Sequence, residues 1–450
     1  MKVIDRREQF DSLYEKDVII LPIFTDTDKH SLNNILSLLY VYSLETGNSY
    51  MLSFDHSEAM SLDYRILLEL PKRVGNIFTL DKKILLSIFG NRNNIYDLLI
   101  EHYLHKNEHI QIDYITPAHN FIYRKYDKDN NLNRLVPITK HAEICDAIVE
   151  KIKSVMNGQK FLSDKTYKFY NEIVIPSLFK VESNGLYVDK NIFSQFFEDK
   201  NISPDNYVYT EYNLYTSTGR PSNRYGNVNY AALHKDDGSR KAFISRFKND
   251  GALVMFDYDA YHLRLIGEII GYQLPTESMH VHLGKQYFNK QTLSDDEYND
   301  SKVKSFQYLY GGVPKNVQDQ IPFFNSVALF TQLLWDDIKK DGYIESPLSG
   351  RKIFLNNIFE PNPQKLFNYL IQLLETERNM SIIDKLNEYM KQFSSKLVLY
   401  TYDSFMIDFD FGDGKDFLFS IKKIMEGSGY PTKVYLGPNY DEMIDVTCKF

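Results

Sequence analysis

Two acidic residues stand at the end of an apolar stretch, where a buried carboxylate is costly. The run "ALVMFDYDAYHLRL" (252–265) is typical of a core strand, and it ends in Asp257 and Asp259. A carboxylate that leaves water is destabilising unless a cation or hydrogen-bond donors compensate its charge. Either the strand runs out into solvent here, or these residues belong to a metal site. A metal site would need a further carboxylate elsewhere in the chain.

The stretch "LVLYTYDSFMIDF" (397–409) supplies such a carboxylate. Apolar strands on both sides of a tight "YDS" place Asp403 at the tip of a hairpin, which can lie beside the end of the Asp257 strand. Mg²⁺ prefers oxygen ligands and often completes its shell with water and phosphate. Two such ions about 4 Å apart would activate an attacking hydroxyl and stabilise a leaving oxygen. An ordinary surface hairpin is the alternative.

A third set of residues lies on one predicted helix. In "SKVKSFQYLYGG" (301–312), Lys302, Phe306 and Tyr310 are four residues apart. Each step of four advances about 40° past a full helical turn, so the three side chains share a face. A cation followed by two aromatic rings can hold a triphosphate at one end and a base at the other. The alternative is a core stripe that ends in a solvated lysine.

The elements that must position these residues follow from periodicity and turn signals. Residues 17–60 are predicted to form strands, with a hairpin turn at "ETGNS", and residues 86–106 and 139–157 to form amphipathic helices. Further along, the sequence predicts a helix, a Gly turn and a second helix over 170–197, a helical segment over 301–340 with one Gly-Gly break, a hairpin at "DGYIESPLSGRKIFL", a long helix over 363–392 and a β-rich end with a helix near 415–427.

Composition narrows the class of protein. A chain of 450 residues with 43% hydrophobic and 25% charged residues is an ordinary globular protein of two or three domains. The net charge is −8, but the window from Thr216 to Asp250 holds seven Arg or Lys and three Asp, which is +4. Such a strip can follow a phosphate backbone or form a solvated face. Cys145 and Cys448 suggest neither a zinc cluster nor a disulfide framework.

In this order, the segments resemble the polymerase module of family A DNA polymerases, the bacterial polymerase I-like enzymes. "DYDAYHLR" (257–264) is similar to the first palm motif D-Y-S-Q-I-E-L-R, residues 302–311 to the fingers motif K-x3-F-x3-Y-G, and "TYDS" (401–404) to the second palm motif V-H-D-E. Weaker similarities are found in "EIVIPSLFKVESNGLYVD" (172–189), "TSTGRPS" (216–222), "RKAFISR" (240–246), "MHVHLGKQYF" (279–288), "GYIESPLSGRK" (342–352), "NYLIQ" (368–372) and "GPNYDEM" (437–443).

The resemblance implies a multidomain fold of α/β and α+β parts. An RNase H/exonuclease-like domain would precede a right-hand polymerase module with an antiparallel palm sheet, helical fingers and a much-reduced thumb. The implied boundaries are 1–155 for the exonuclease-like domain, 156–215 for connecting helices and a vestigial thumb, 216–272 for the first part of the palm, 273–340 for the fingers and 341–450 for the second part of the palm.

The activity that the resemblance implies is DNA-templated addition of deoxynucleotides to a primer 3′ end. Asp257, Asp403 and Lys302 would be catalytic. Asp257, Asp403 and the carbonyl of Tyr258 would hold two Mg²⁺ ions, for which Mn²⁺ is an expected substitute. The implied partners are dNTPs, bound by Lys302, Phe306, Tyr310, His262, Arg264 and Tyr298, and primer–template DNA, bound by Arg220, Arg224, Arg240, Gln372 and Tyr402.

Several positions depart from the family pattern. Tyr298 stands where the family has an arginine, so a triphosphate contact is either missing or supplied from elsewhere, for example by Lys304 or Arg264. His262 replaces the glutamate that usually blocks a ribose 2′-hydroxyl, which puts discrimination against ribonucleotides in doubt. In the second palm motif, Tyr402 replaces His and Ser404 replaces Glu.

Two regional departures are larger. The segment between Asp189 and Thr216 is too short for a long helical thumb, which predicts low processivity unless a processivity or replication partner replaces it. The opening strand of the exonuclease-like region lacks the expected D-x-E pair, although Asp26 and Asp28 follow it, and Asp97 and Asp146 fall where later carboxylates would be. We expect this domain to have lost its metal site.

Two rival functions stay open. His262 motivates a related polymerase that accepts ribonucleotides or RNA templates, and a catalytically silent primer–template-binding factor is an alternative of another class. The N-terminus does not suggest a signal peptide, and no apolar run is long enough to span a membrane. These features favour a cytoplasmic protein, in the host cytoplasm if a phage encodes it. Compactness favours a phage, viral or plasmid-like replicon.

Overall fold

The computed structural model describes residues 1–26, 29–107, 132–155, 159–198, 202–225 and 228–450. The side chains of residues 132, 155, 159, 160, 224, 225 and 428 lie outside this description. The chain divides into two compact units, Met1–Ser183 and Asn184–Phe450. No helix in the described ranges is long and apolar enough to cross a membrane.

The first unit is built around a mixed six-stranded sheet. Its strands are β1 (Lys2–Ile4), β2 (Glu15–Phe24), β3 (Leu36–Ser43), β4 (Ser49–Ser53), β5 (Val74–Thr79) and β6 (Ile95–Asp97), in the order β1-β4-β3-β2-β5-β6. β2, β3 and β4 form an antiparallel meander, whereas β5 pairs in parallel with both β2 and β6. The hairpin predicted at "ETGNS" is confirmed, and Gly47 in its turn has a φ of +72°.

The helices of the first unit confirm one sequence prediction and correct another. They are α1 (Arg7–Asp11), α2 (Ile66–Arg73), α3 (Lys82–Phe89), α4 (Leu98–Lys106), α5 (Leu132–Leu135), α6 (Ile138–Val155), α7 (Lys165–Phe169) and α8 (Ile175–Asn184). The helix expected over 139–157 corresponds to α6, with residues 156–157 outside the description. The single helix expected over 86–106 is wrong. Gly90 ends α3 with a φ of +71°, and β6 joins the sheet beside β5 before α4 begins.

The second unit has an antiparallel sheet with β12 (Gly251–Tyr258) at its centre. The other strands are β15 (Lys396–Thr401), β16 (Ser404–Asp410), β17 (Thr432–Gly437) and β18 (Ile444–Asp445), in the order β15-β16-β12-β17-β18. β12 is apolar on both faces, since Leu253, Val254 and Phe256 are 1% exposed or less. Such a strand must be covered on both sides, which explains its central position.

Short strands and longer helices complete the second unit. The strands are β7 (Leu186–Tyr187), β8 (Tyr207–Val208), β9 (Glu211–Asn213), β10 (Ser222–Tyr225), β11 (Val228–Asn229), β13 (Tyr343–Glu345) and β14 (Lys352–Phe354). The helices are α9 (Lys190–Phe196), α10 (Tyr261–Ile269), α11 (Met279–Phe288), α12 (Asp295–Gly311), α13 (Lys315–Gln320), α14 (Pro322–Asp341), α15 (Pro363–Tyr389) and α16 (Lys415–Met425). The predicted hairpin of β13 and β14 and the long helix α15 are confirmed.

The helix α15 carries polar residues on its buried side. Glu375, Thr376 and Glu377 are each 1% exposed, and Asn379 is fully buried. Their partners come from other segments. The hydroxyls of Ser346 and Ser349 donate to the Glu377 carboxylate, and the Asn379 amide donates to the Tyr402 carbonyl at 2.6 Å. This helix therefore positions loops of the second unit through hydrogen bonds as well as through apolar packing.

Gly219, between β9 and β10, has a conformation and a neighbour that both exclude a side chain. Its φ is +74°, and a Cβ atom would lie 1.9 Å from Nη1 of the buried Arg351, which donates to the Thr218 carbonyl at 3.0 Å. We predict that Gly219→Ala lowers the free energy of unfolding by about 2–5 kcal/mol, because left-handed strain and overpacking add. Urea denaturation measures this loss.

Gly271→Ala is the matched control for that measurement. Gly271 also has a positive φ, +65°, but nothing lies within 4 Å of the place that a Cβ atom would occupy. Its substitution should therefore cost only the conformational strain, about 1–2 kcal/mol. Equal losses for the two variants would contradict the packing argument.

Candidate active site

The pairing of β12 with β16 brings Asp257 and Asp403 together. Asp257 lies opposite Ser404 in the antiparallel register, and the backbone N–H of Tyr258 donates to the carbonyl of Asp403 at 3.0 Å. The two-residue tip Tyr402–Asp403 between β15 and β16 is therefore held against the end of β12. Asp257 is half-buried, whereas Asp403 as a residue is exposed at the tip.

The backbone around the two carboxylates is constrained. Tyr402, directly before Asp403, has a φ of +61°, and Ala260, shortly after Asp257, has a φ of +51°. Non-glycine residues reach this region at a cost and keep it only where the surroundings enforce it. At Tyr258, the buried ring stacks on Tyr261 and its hydroxyl donates to the Met425 carbonyl at 2.6 Å.

The cations near the two carboxylates do not offset the cost of burying them. Burial, and then the charge of Asp403, raise the pKa of Asp257 to about 7. Loss of water around the carboxyl group, and then the nearby Glu375 carboxylate, raise the pKa of Asp403, although the residue as a whole is exposed. Mg²⁺ prefers such an anionic set of oxygen donors, so Asp257, Asp403 and the Tyr258 carbonyl fit the ion chemically. In the described ranges, no group of three or more His, Cys, Asp or Glu side chains could hold a metal ion.

Asp259 has a different environment from Asp257. It is 7% exposed, and its carboxylate accepts from the Ser278 hydroxyl at 3.0 Å and lies 3.3 Å from both Arg264 Nη2 and Lys433 Nζ. The guanidinium of Arg264, a buried residue, also donates to the carbonyls of Asp259, Pro275 and Glu277. A nucleotide contact by Arg264 stays a prediction, and the guanidinium would have to leave these acceptors to make it.

The helix α12 presents the predicted cation and aromatic rings. The rings of Phe306 and Tyr310 stack at 5.9 Å with an interplanar angle of 11°, and Phe306 is 43% exposed. Lys302 Nζ lies 4.4 Å from the centroid of the Tyr298 ring. The structure therefore places the three predicted residues, and Tyr298, along one side of the helix. Lys304 Nζ lies instead over the Phe288 ring, at 4.3 Å.

His262 lies between two partners that the sequence analysis did not pair with it. Its Nδ1 forms a hydrogen bond with the Tyr310 hydroxyl, and its Nε2 lies 3.2 Å from Glu375 Oε2. The same carboxylate oxygen lies 2.9 Å from Arg220 Nε. Glu375 was missed by sequence reasoning. The available signal was a glutamate three residues after Gln372 in the predicted long helix.

Several of the predicted DNA-binding residues contact other residues of the second unit. The Arg220 guanidinium lies 3.6 Å above the Tyr402 ring, and Gln372 Oε1 accepts from the Thr218 hydroxyl at 3.0 Å. Arg240 donates to the Leu233 carbonyl and lies over the Tyr440 ring. Arg224 lies on β10 and its backbone is paired with that of Asn229 on β11; its side chain is outside the described part.

The carboxylates noted in the first unit have structural partners. The carboxylate of Asp97, which is 1% exposed, accepts from the backbone N–H groups of Ile100 and Lys82 at 2.7 and 2.8 Å. Asp146 accepts from the Tyr40 hydroxyl, and Asp26 forms an ion pair with Lys29 at 3.6 Å. Asp28 lies outside the described residues.

Comparison with known proteins identifies the fold through one solved structure. No family model and no curated protein matches the chain. Among solved structures, the chain is similar to the POL domain of Pol1 from M. smegmatis, determined in complex with DNA primer-template and dNTP. The TM-score is 0.72 at 13% sequence identity, over 98% of this chain and 100% of that chain. The likeness establishes the fold: the chain has the mixed α/β, multidomain fold of a polymerase domain.

The raised pKa of Asp257 makes stability depend on pH. The folded state keeps a proton that the unfolded state has lost, so the free energy of unfolding falls as pH rises from about 4 to about 7. Asp257→Asn removes this penalty. We predict that the variant is more stable than the wild type by about 1–3 kcal/mol at pH 8 without divalent metal, and that the difference fades towards pH 4. Thermal and urea unfolding across this range measure it.

Asp413→Asn provides a control of opposite sign. Although burial opposes it, hydrogen bonds from the Ser395 hydroxyl and from backbone N–H groups lower the pKa of Asp413. That carboxylate stabilises the fold above the unfolded pKa, so its removal should destabilise the protein at pH 8, and the loss should shrink as the pH falls below the unfolded pKa. An Asp257→Asn variant that is no more stable than the wild type at pH 8 would contradict the predicted repulsion.

Proposed function

We propose that this chain is a DNA-templated DNA polymerase that adds deoxynucleotides to a primer 3′ end. The observation that carries the proposal is the pair Asp257 and Asp403 at the end of β12, on a fold shared with a polymerase domain. The cation and stacked rings of α12 belong to the same unit. Both parts are what nucleotide addition needs: an anionic site for metal ions, and a binding face for a triphosphate and base.

The metal-binding residues of this proposal are Asp257, Asp403 and the Tyr258 carbonyl. When bound, two Mg²⁺ ions supply the positive charge that lowers the pKa of the primer hydroxyl and neutralises the leaving pyrophosphate. The protein holds the two carboxylates in place through the strand pairing and the constrained residues next to them. This preorganisation keeps two like charges close together before any cation arrives.

The nucleotide-binding face comes from α12 and α10. Lys302 would neutralise the triphosphate, Phe306 would pack on the sugar and base, and Tyr310 would occupy the template-base position in the open state. The imidazole of His262, held by Tyr310 and Glu375, would face the sugar. Arg220, Arg224 and Arg240 would contact the primer–template backbone. Gln372 would read the minor groove, where the acceptor pattern is largely independent of sequence.

The remaining parts of the proposal concern domain roles. We propose an exonuclease-like first domain without a metal site, because Asp97, Asp146 and Asp26 have the structural partners described above. The described part of the segment between Asp189 and Thr216 holds one short helix, α9, and short strands, which supports a reduced thumb. Fewer backbone contacts mean weaker and more salt-sensitive DNA binding. A processivity partner and a phage, viral or plasmid-like role are parts of the same proposal.

Primer extension tests the polymerase directly. We predict Mg²⁺-dependent extension of a labelled primer–template with dNTPs, and a loss of about 10³-fold or more in rate for Asp403→Ala, because one of the two carboxylate ligands is gone. Asp416→Ala, at an exposed position of α16, is the control and should extend normally. A wild type that binds primer–template and never lengthens it would identify a silent binding factor. An active Asp403→Ala variant would contradict the site.

The choice between deoxyribose and ribose needs a separate test. His262 replaces the glutamate of the family pattern, which motivates a second candidate function, a polymerase that tolerates ribonucleotides. The Nδ1 of His262 is hydrogen-bonded to the Tyr310 hydroxyl and its Nε2 faces Glu375, and we predict that the imidazole still excludes a 2′-hydroxyl. His262→Ala should therefore reduce the preference for dNTPs over NTPs by about 10-fold or more. Single-nucleotide incorporation kinetics measure the ratio, with the exposed His105→Ala as control. Equal use of both sugars by the wild type would favour the second candidate.

A further inference from the structure

Lys433 lies on the strand next to the candidate metal site and belongs to none of the sequence motifs described above. It stands on β17, directly opposite Asp257 in the antiparallel register of β12 and β17. Directly paired residues point to the same face of a sheet, with Cβ atoms about 4.5–5.5 Å apart. The Lys433 side chain is 33% exposed, so its ammonium is near Asp257 and within reach of a bound ligand.

A second contact connects Lys433 to α12. Its Nζ donates to the Tyr298 hydroxyl at 3.2 Å and lies 5.7 Å from the centroid of that ring. Lys302 Nζ lies 4.4 Å from the same centroid. Two ammonium groups, one from β17 and one from α12, therefore lie next to the same tyrosine. This tyrosine stands where the family that the sequence resembles has an arginine.

The charge balance leaves Lys433 available for an anion. Asp259 is the carboxylate nearest to Lys433, at 3.3 Å, but Arg264 and Ser278 already contact it. Lys433 is therefore a second cation on this carboxylate, and the charge of Asp257, its other anionic neighbour, would be met by the proposed metal ions. Next to the cluster, Nδ1 of His280, a residue 5% exposed, has no hydrogen-bond partner among the described residues, and its ring lies 6.2 Å from Tyr298. An unpaired buried polar atom is a place where a water molecule, an ion or a ligand group can bind.

We propose that Lys433 binds the triphosphate of the incoming nucleotide together with Lys302, and so supplies the cation that is missing at position 298. The inference rests on the proposed polymerase function. Two ammonium groups around one ring would grip a chain of phosphates from two elements, where a single lysine would act as one point charge. Lys304 and Arg264, the alternative sources of this cation, have the partners described above.

Binding of inorganic tripolyphosphate to the full chain, measured by titration calorimetry, tests this role without any catalysis. Lys433→Gln should weaken binding by about 10- to 100-fold, and Lys433→Arg should keep it within about threefold of the wild type, because the charge is retained. Lys423→Gln, at an exposed position of α16, is the control and should bind like the wild type. Adding Tyr298→Arg to Lys433→Gln should restore binding, since a guanidinium returns to the same cluster.

Kinetics on a primer–template provide the second readout. Lys433→Gln should raise KM for dNTPs by a similar factor of about 10 to 100, while the Kd for primer–template stays the same. If the wild type extends primers and Lys433→Gln leaves both the tripolyphosphate affinity and the KM for dNTPs unchanged, the proposed role of Lys433 is overturned and the polymerase function is not. A wild type that does not extend primers overturns the polymerase instead, and the calorimetric result on Lys433 still stands.

Discussion

The antiparallel pairing of β12 with its two neighbours is the constraint on which the candidate site depends. It places Asp257 opposite Ser404 on one side and opposite Lys433 on the other, and it holds the Asp403 tip against the Tyr258 N–H. Side chains alternate along a strand, so a slip of one residue would send Asp257 to the other face. The pairing of β12 with both β16 and β17 opposes that slip, because it would break the register with two neighbours at once.

The acidic residues of the second unit fall into two electrostatic groups. Asp259 and Glu375 are almost fully buried and have cationic partners, Arg264 and Lys433 for the first and Arg220 for the second. Asp257 and Asp403 have carboxylate neighbours: burial and then Asp403 raise the pKa of Asp257, and burial and then Glu375 raise the pKa of Asp403. A buried acid with partners is a structural element, whereas two repelling acids at the surface of a sheet are a place for an external cation. Asp259 and Glu375 therefore belong to the structural framework, and Asp257 and Asp403 to the candidate site.

Local patterns in the sequence predicted the elements whose residues are close together in the chain. The hairpin with Asp403 at its tip and the helical face with Lys302, Phe306 and Tyr310 are of this kind. Glu375 and Lys433 were not found, because their surroundings depend on which distant elements meet. The helix expected over 86–106 was wrong for a related reason. The amphipathic pattern continues through residues 95–97, but pairing with β5 draws that segment into the sheet.

The long separation of β12 and β16 along the chain also sets the order of events during synthesis. Asp257 leaves the ribosome well before Asp403, and loop closure over such a distance is slow and entropically costly. The first strand of the central pair must therefore wait, with both apolar faces uncovered, until residues 404–410 have emerged. A nascent chain that stops before that point holds only half of the acidic pair and exposes a strand prone to aggregation, which makes this interval one in which a chaperone would be useful.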